Sequence, residues 1–172
     1  MFKLNRSALL IAASAVVLTG CATGNSKGDT AYVARDVNTL YAAGKRTIDW
    51  GDYESDANMF DEVVRQHPYS NWARRAMVMS AFSYYMGRKY TDAISSAQRF
   101  VTIHPGNKDA PYAHYLMSMS YYQQIADVTR DQAITQQALD AFGELIRRYP
   151  QSRYASDARL KVDLLYDHLA RK

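Results

Sequence analysis

The chain has 172 residues, a formal net charge of +4 and one cysteine. That length suits a single domain, the small charge argues against a nucleic-acid partner, and a lone cysteine excludes an intrachain disulfide. In chain order, the N-terminus begins with the cations Lys3 and Arg6 and an apolar run from Ala8 to Leu18. A bilayer-spanning helix needs roughly 20 apolar residues, so residues 1–20 read as a secretory signal peptide. Removing them takes away two cations and no acid, which leaves +2 on the remaining 152 residues.

The run ends Leu18-Thr19-Gly20-Cys21, which resembles the bacterial lipobox. The resemblance implies cleavage before Cys21, an S-diacylglycerol thioether on its sulfur and an N-palmitoyl group on the new terminus. An ordinary signal peptide with an incidental cysteine is the alternative. Several acyl chains anchor a protein stably where one does not. Residues 21–30 are small and polar, with Gly24 and Gly28, and read as a flexible lipidated tether. No cofactor beyond the lipid is expected.

From residue 31 onward the pattern is helical, with helices expected near 31–49, 53–67, 71–86, 91–104, 110–125, 131–148 and 153–170. Pro68, Pro105 and Pro150 each follow an amphipathic run, where proline ends a helix. Ser70 and Ser152 suit N-caps, and Pro111 suits a first helical turn. The Pro-to-Pro steps are 37 and 45 residues, a period that marks paired-helix repeats. Phe60 and Val63, Ala97 and Phe100, and Ala138 and Phe142 match second helices of tetratricopeptide repeats. Ala43-Gly44 and Ala81 supply the small residues that first helices need. The fold class is therefore an all-α tetratricopeptide-like solenoid over residues 31–172, about three and a half repeats in seven helices. A generic helical bundle is the alternative.

No catalytic constellation is present. There is no phosphate-binding glycine loop, no His-Glu-x-x-His and no nucleophile elbow. His67, His104, His114 and His168 have no helical partner at i+3 or i+4, so neither a metal site nor a catalytic site is assigned. His67 and His104 precede helix-ending prolines, where they suit caps on the last carbonyls. Arg147 and Arg148 suit a helix C-terminus, whereas Arg74 and Arg75 at a helix start point to a partner or a salt bridge. An envelope hydrolase would need a carboxylate pair or an activated nucleophile in a cleft, whereas Glu54, Glu62 and Glu144 lie on second helices in polar patterns that favour solvent.

The fourteen tyrosines are more informative. In stacked helix pairs the first helices line the concave face. Repeat register puts Tyr41, Lys45, Arg75, Val78, Met79, Phe82, Tyr85, Tyr115 and Tyr122 on or near that groove. For any one of them the groove and the interhelical core are equal readings. As a set they describe a peptide-binding groove, because tyrosine combines apolar area with a hydroxyl at small entropic cost.

Several phrases are distinctive: His67-Pro68-Tyr69-Ser70, Phe100-Val101-x-x-His104-Pro105, Pro111-Tyr112-Ala113-x-Tyr115, Asp127-Val128-Thr129-Arg130-Asp131-Gln132 and Tyr149-Pro150-x-Ser152-x-Tyr154-Ala155-x-Asp157-Ala158. Together they resemble the BamD (ComL) family of outer-membrane assembly lipoproteins. The resemblance implies a non-catalytic scaffold anchored to the periplasmic face of the Gram-negative outer membrane. Ala22 after Cys21 accords with sorting there. Its implied partners are a BamA-like barrel insertase, other assembly lipoproteins and unfolded outer-membrane proteins, and no nucleic acid. A pilotin serving a secretin or pilus system is the alternative function. Family members usually carry about five helix pairs, and this chain ends after the first helix of a fourth. The resemblance places the main insertase-docking region beyond that point. Leu160, Leu164 and Leu165 are expected to bury one face of the last helix against the third pair.

Overall fold

The computed structural model describes residues 36–125 and 131–170. Cys21, the signal segment, the tether and most of the added stretch in the third unit lie outside those residues. Seven helices are present among them: α1 Val37–Ile48, α2 Tyr53–Gln66, α3 Asn71–Met86, α4 Tyr90–Ile103, α5 Ala110–Gln123, α6 Gln132–Arg148 and α7 Arg153–Ala170. The fold is an all-α, tetratricopeptide-like solenoid.

Local chemistry sets the boundaries. Ser70 Oγ accepts from the Ala73 N–H at 3.0 Å, and Ser152 Oγ accepts from the Ala155 N–H at 3.2 Å. Replacing such a serine cap by alanine costs about 1 kcal/mol. Pro111 occupies the first turn of α5, where a missing N–H is harmless. At the other end, the N–H groups of His67, His104 and Tyr149 reach the carbonyls of Val63, Phe100 and Leu145 at 2.9, 2.8 and 2.9 Å. The proline that follows each has no N–H with which to continue. The two histidines thus cap through their backbones, and the His104 ring lies 5.4 Å from that of Phe100.

The repeat register is visible in the backbone. Ala73, Ala110 and Ala155 donate to the carbonyls of Ser70, Asn107 and Ser152, so the starts of α3, α5 and α7 are equivalent at steps of 37 and 45 residues. Successive helices pack in chain order from α1 to α7. First helices also pack across pairs, α1 to α3, α3 to α5 and α5 to α7, whereas the backbones of second helices stay apart, and α2 and α4 meet through the Arg99–Asp61 ion pair at 3.5 Å. First helices therefore crowd together on the inner side of the curve.

The core runs along the stack in three clusters. Leu40, Phe60, Val63 and Ala76 join the first pair to α3. Met77, Ala81, Ala97, Phe100, Ala113 and Leu116 fill the middle. Met119, Ala138, Phe142, Leu145, Ala158 and Leu165 close the far end. Full burial of each phenylalanine contributes roughly 1.5–3 kcal/mol. Gly44 is needed for close approach: a Cβ there would sit 2.9 Å from the Phe60 ring. Ala81, one repeat later, has no exposed surface.

One expectation is corrected. Leu165 is buried at 2% exposure, but Leu160 and Leu164 are 62% and 45% exposed. The step of 45 makes Leu160 equivalent to Tyr115 and Leu164 to Met119, and both are more open on α7 because, among the described residues, it packs only against α5 and α6. Both leucines belong to the inner stripe of first-helix residues, while Leu165 points back to α6.

Candidate binding groove

The inner face is a stripe of aromatic and cationic side chains. At one end Tyr41 of α1 packs edge-on against Phe60, with centroids 5.3 Å apart, and lies 4.6 Å from Trp72 of α3. Arg75 sits over the Trp72 ring at 5.4 Å. Burial pushes the Tyr41 hydroxyl above its ordinary pKa, nearby Arg75 pulls it down, and Asp109 reinforces the rise.

At the other end Tyr154 of α7 lies between Tyr112 and Tyr115 of α5, 5.2 Å from each. The Tyr115 hydroxyl donates to Asp157 Oδ2 at 2.7 Å. Burial and that hydrogen bond both push its pKa up. Burial raises Tyr112 to about 12. Arg153 stacks on Tyr154 at 4.7 Å, and Lys161 Nζ lies 5.4 Å from the centroid of Tyr122.

The remaining sequence-predicted residues divide between surface and core. Lys45 and Arg75 are exposed. Met79 is half-buried against the first cluster, and Phe82 against the second. Tyr85 spans the second and third clusters, and its ring is 6.0 Å from Tyr90. Tyr122 meets Phe142 edge-on at 6.2 Å. Val78 is the exception: at 7% exposure it belongs to the core cluster beneath the face. The middle first helix is flanked on both sides, so a position that is open in α1 and α7 is covered in α3.

Residues that sequence reasoning left out include Trp72, Tyr112, Tyr154, Asp157, Leu160, Lys161 and Leu164. The step of 45, applied to Tyr112, Tyr115 and Met119, would have found Asp157, Leu160 and Leu164.

The outer face is chemically different. Asp61 accepts from Ser80 Oγ at 2.8 Å and from the Tyr84 hydroxyl at 2.9 Å. Ser80 and Ser96 share a further hydrogen bond at 3.1 Å. Glu54 pairs with Lys89, Glu62 with Arg65, and Glu144 with both Arg147 and Arg148. The hydrogen bond from Arg147 holds the Glu144 carboxyl below its ordinary value. A hydrolase acid needs the opposite shift. Arg74 bonds the Asn71 side chain, and Arg75 rests on Trp72, so neither forms a salt bridge among the described residues.

Three buried polar side chains, Asp56, Ser83 and His114, lack hydrogen-bond partners among the described residues. Asp56 has no exposed surface, and neither carboxylate oxygen accepts a hydrogen bond. The neighbouring Thr47 hydroxyl donates to the Gly44 carbonyl at 2.9 Å. Burial pushes the Asp56 carboxyl up, Thr47 opposes this, and Asp52 and Asp49 add to it. His114 is buried with both ring nitrogens unpaired, 5.4 Å from the Tyr149 ring. Burial and Arg148 push its pKa down, against Glu144. Among the described residues no group of three metal-ligating side chains converges, and no helix is long and apolar enough to cross a membrane.

The YfiO family model, described as an outer membrane lipoprotein, matches residues 33–172. The outer membrane protein assembly factor BamD of Caulobacter vibrioides is 46% identical over 166 residues, which cover 96% of this chain and 53% of that protein. BamD of Rickettsia prowazekii is 37% identical over 166 residues, covering 96% of this chain and 64% of its own length. BamD of Xylella fastidiosa is 29% identical over 171 residues, covering 94% and 58%. The chain thus spans between about half and two thirds of the curated relatives it matches.

Proposed function

The chain belongs to the YfiO family of outer membrane lipoproteins, and from that membership we propose that it is a lipid-anchored, non-catalytic scaffold in outer-membrane protein assembly. The named role of its relatives supports this reading. Cys21 carries the lipid, N-palmitoyl and S-diacylglycerol, and holds the solenoid at the periplasmic face of the membrane. The clients are unfolded barrel proteins, and the other partners are a barrel insertase and its accessory lipoproteins.

The observation that carries the binding role is the aromatic stripe running along successive first helices, from Tyr41 and Trp72 to Tyr112, Tyr115 and Tyr154. A client strand laid across these rings buries apolar area at each repeat. Separate weak contacts on one chain then act together. Removing a single ring weakens such a site only modestly.

The test is copurification from gently solubilised outer membranes with a tag at Lys172 and partners identified by mass spectrometry. Recovery of a barrel insertase and barrel clients is expected, together with loss of clients in a Trp72→Ala, Tyr154→Ala double variant that keeps its helical signal. Cys21→Ala should release the chain from the membrane fraction. Recovery of a secretin or pilus component instead would overturn the reading.

A further inference from the structure

The cations of the inner face rest on rings, not on carboxylates. Arg75, Arg153 and Lys161 lie over Trp72, Tyr154 and Tyr122. Among the described residues neither these three nor Lys45 forms an ion pair. The outer face is arranged the opposite way, with Lys89, Arg65, Arg99, Arg147 and Arg148 all held to carboxylates. The inner face has acids of its own, among them Asp167, which the step of 45 makes equivalent to Tyr122. Asp157 is engaged by the Tyr115 hydroxyl, and Asp109, at the start of α5, acts on Tyr41. Four cations therefore meet three carboxylates, of which Asp157 is already in use.

A cation over an aromatic face keeps part of its hydration and most of its hydrogen-bonding donors; Arg153 spends one on the Tyr154 hydroxyl at 2.6 Å and keeps the rest. An arriving carboxylate gains a charge-assisted hydrogen bond while the cation stays on its ring. Leu160 and Leu164, exposed on the same stripe, offer apolar contact between such points. Resting on the groove reading above, we propose that the inner face selects extended peptides whose side-chain carboxylates alternate with aromatic or apolar residues. Arg75, Arg153 and Lys161 are the residues that discriminate, and Lys45 adds to the field.

The test uses two extended peptides, acetylated and amidated at their termini, identical except that glutamates in one are glutamines in the other. Both carry aromatic residues at alternate positions. Each is titrated into the full chain in nonionic detergent and followed by fluorescence anisotropy. At low salt the glutamate peptide should bind about tenfold more tightly, and the ratio should fall towards one as salt is raised. Arg75→Gln, Arg153→Gln and Lys161→Gln together should bring the two peptides to equal affinity. Arg147→Gln and Arg148→Gln on the outer face should leave the ratio unchanged. Binding of both peptides with equal affinity by the unmodified chain would overturn the charge selection and leave the groove reading intact. Binding of neither peptide would remove the groove reading as well. A ratio that falls equally in the outer-face variant would overturn the assignment to these residues.

Discussion

The two ends of the groove are built from equivalent positions and finished with opposite charges. Steps of 37 and 45 residues make Tyr41 equivalent to Tyr115, and Trp72 equivalent to Tyr154. Each pair stacks across the junction between successive first helices, at 4.6 Å and 5.2 Å. The next position is Arg75 at one end and Asp157 at the other. Asp157 accepts from Tyr115 and locks the stack. Arg75 has nothing to accept from Tyr41 and stacks on Trp72 instead. Beneath the first end, α2 carries buried Asp56 where α4 and α6 carry buried Ala93 and Ala138. The α5–α7 end, which carries Arg153 and Lys161, is therefore locked by a hydrogen bond, whereas the α1–α3 end has no such lock and rests on a pair weakened by an unpartnered carboxyl.

The largest expected effect comes from breaking the weaker end. Phe60→Ala should cost about 3–5 kcal/mol in urea unfolding, because the ring fills the space left by Gly44 and supports Tyr41. A second variant should shrink the contrast. Asp56→Ala supplies the residue found at the equivalent sites, and at neutral pH it should add about 1–3 kcal/mol, the cost of an unsatisfied buried polar group. Its pH dependence has a definite sign. A carboxyl whose folded pKa is raised binds its proton more readily in the folded state. The parent chain should thus lose stability as pH rises from 3.8 through the folded pKa, and the variant should lack that fall.

A smaller effect should separate the two tyrosines. Tyr115→Phe should cost about 1 kcal/mol, or more if Asp157 is left unpaired, while Tyr41→Phe should lie near zero. Equal costs in thermal unfolding would show that the ends are held alike. The smallest expected effect concerns His114, beneath the α5–α7 end. Its folded pKa is lowered, so the unfolded chain takes up the proton first. Stability should fall as pH drops below 6.5 and stay flat above it, and His114→Leu should abolish the slope.

Much of the fold was legible in the sequence. Three prolines at intervals of 37 and 45, serine caps after two of them, and small residues at Gly44 and Ala81 define helix ends and close contacts through local sterics. Those rules act within a few residues, so seven helices and their pairing follow without knowledge of the packed chain. The candidate site was less legible. Tyr41, Lys45 and Arg75 lie on the inner stripe as register predicts, but Val78 sinks into the core because α3 is covered on both sides. Leu160 and Leu164 emerge from an expected core because they hold the register of Tyr115 and Met119 on a helix that, among the described residues, packs only against α5 and α6. Burial depends on how many neighbours flank a helix, and only the stacked structure decides that. Whether Tyr115 is locked and Tyr41 free depends on which charge faces each across a junction between helices distant in sequence. Periodicity can place a residue on a face, but the partner that holds it there comes from the tertiary fold.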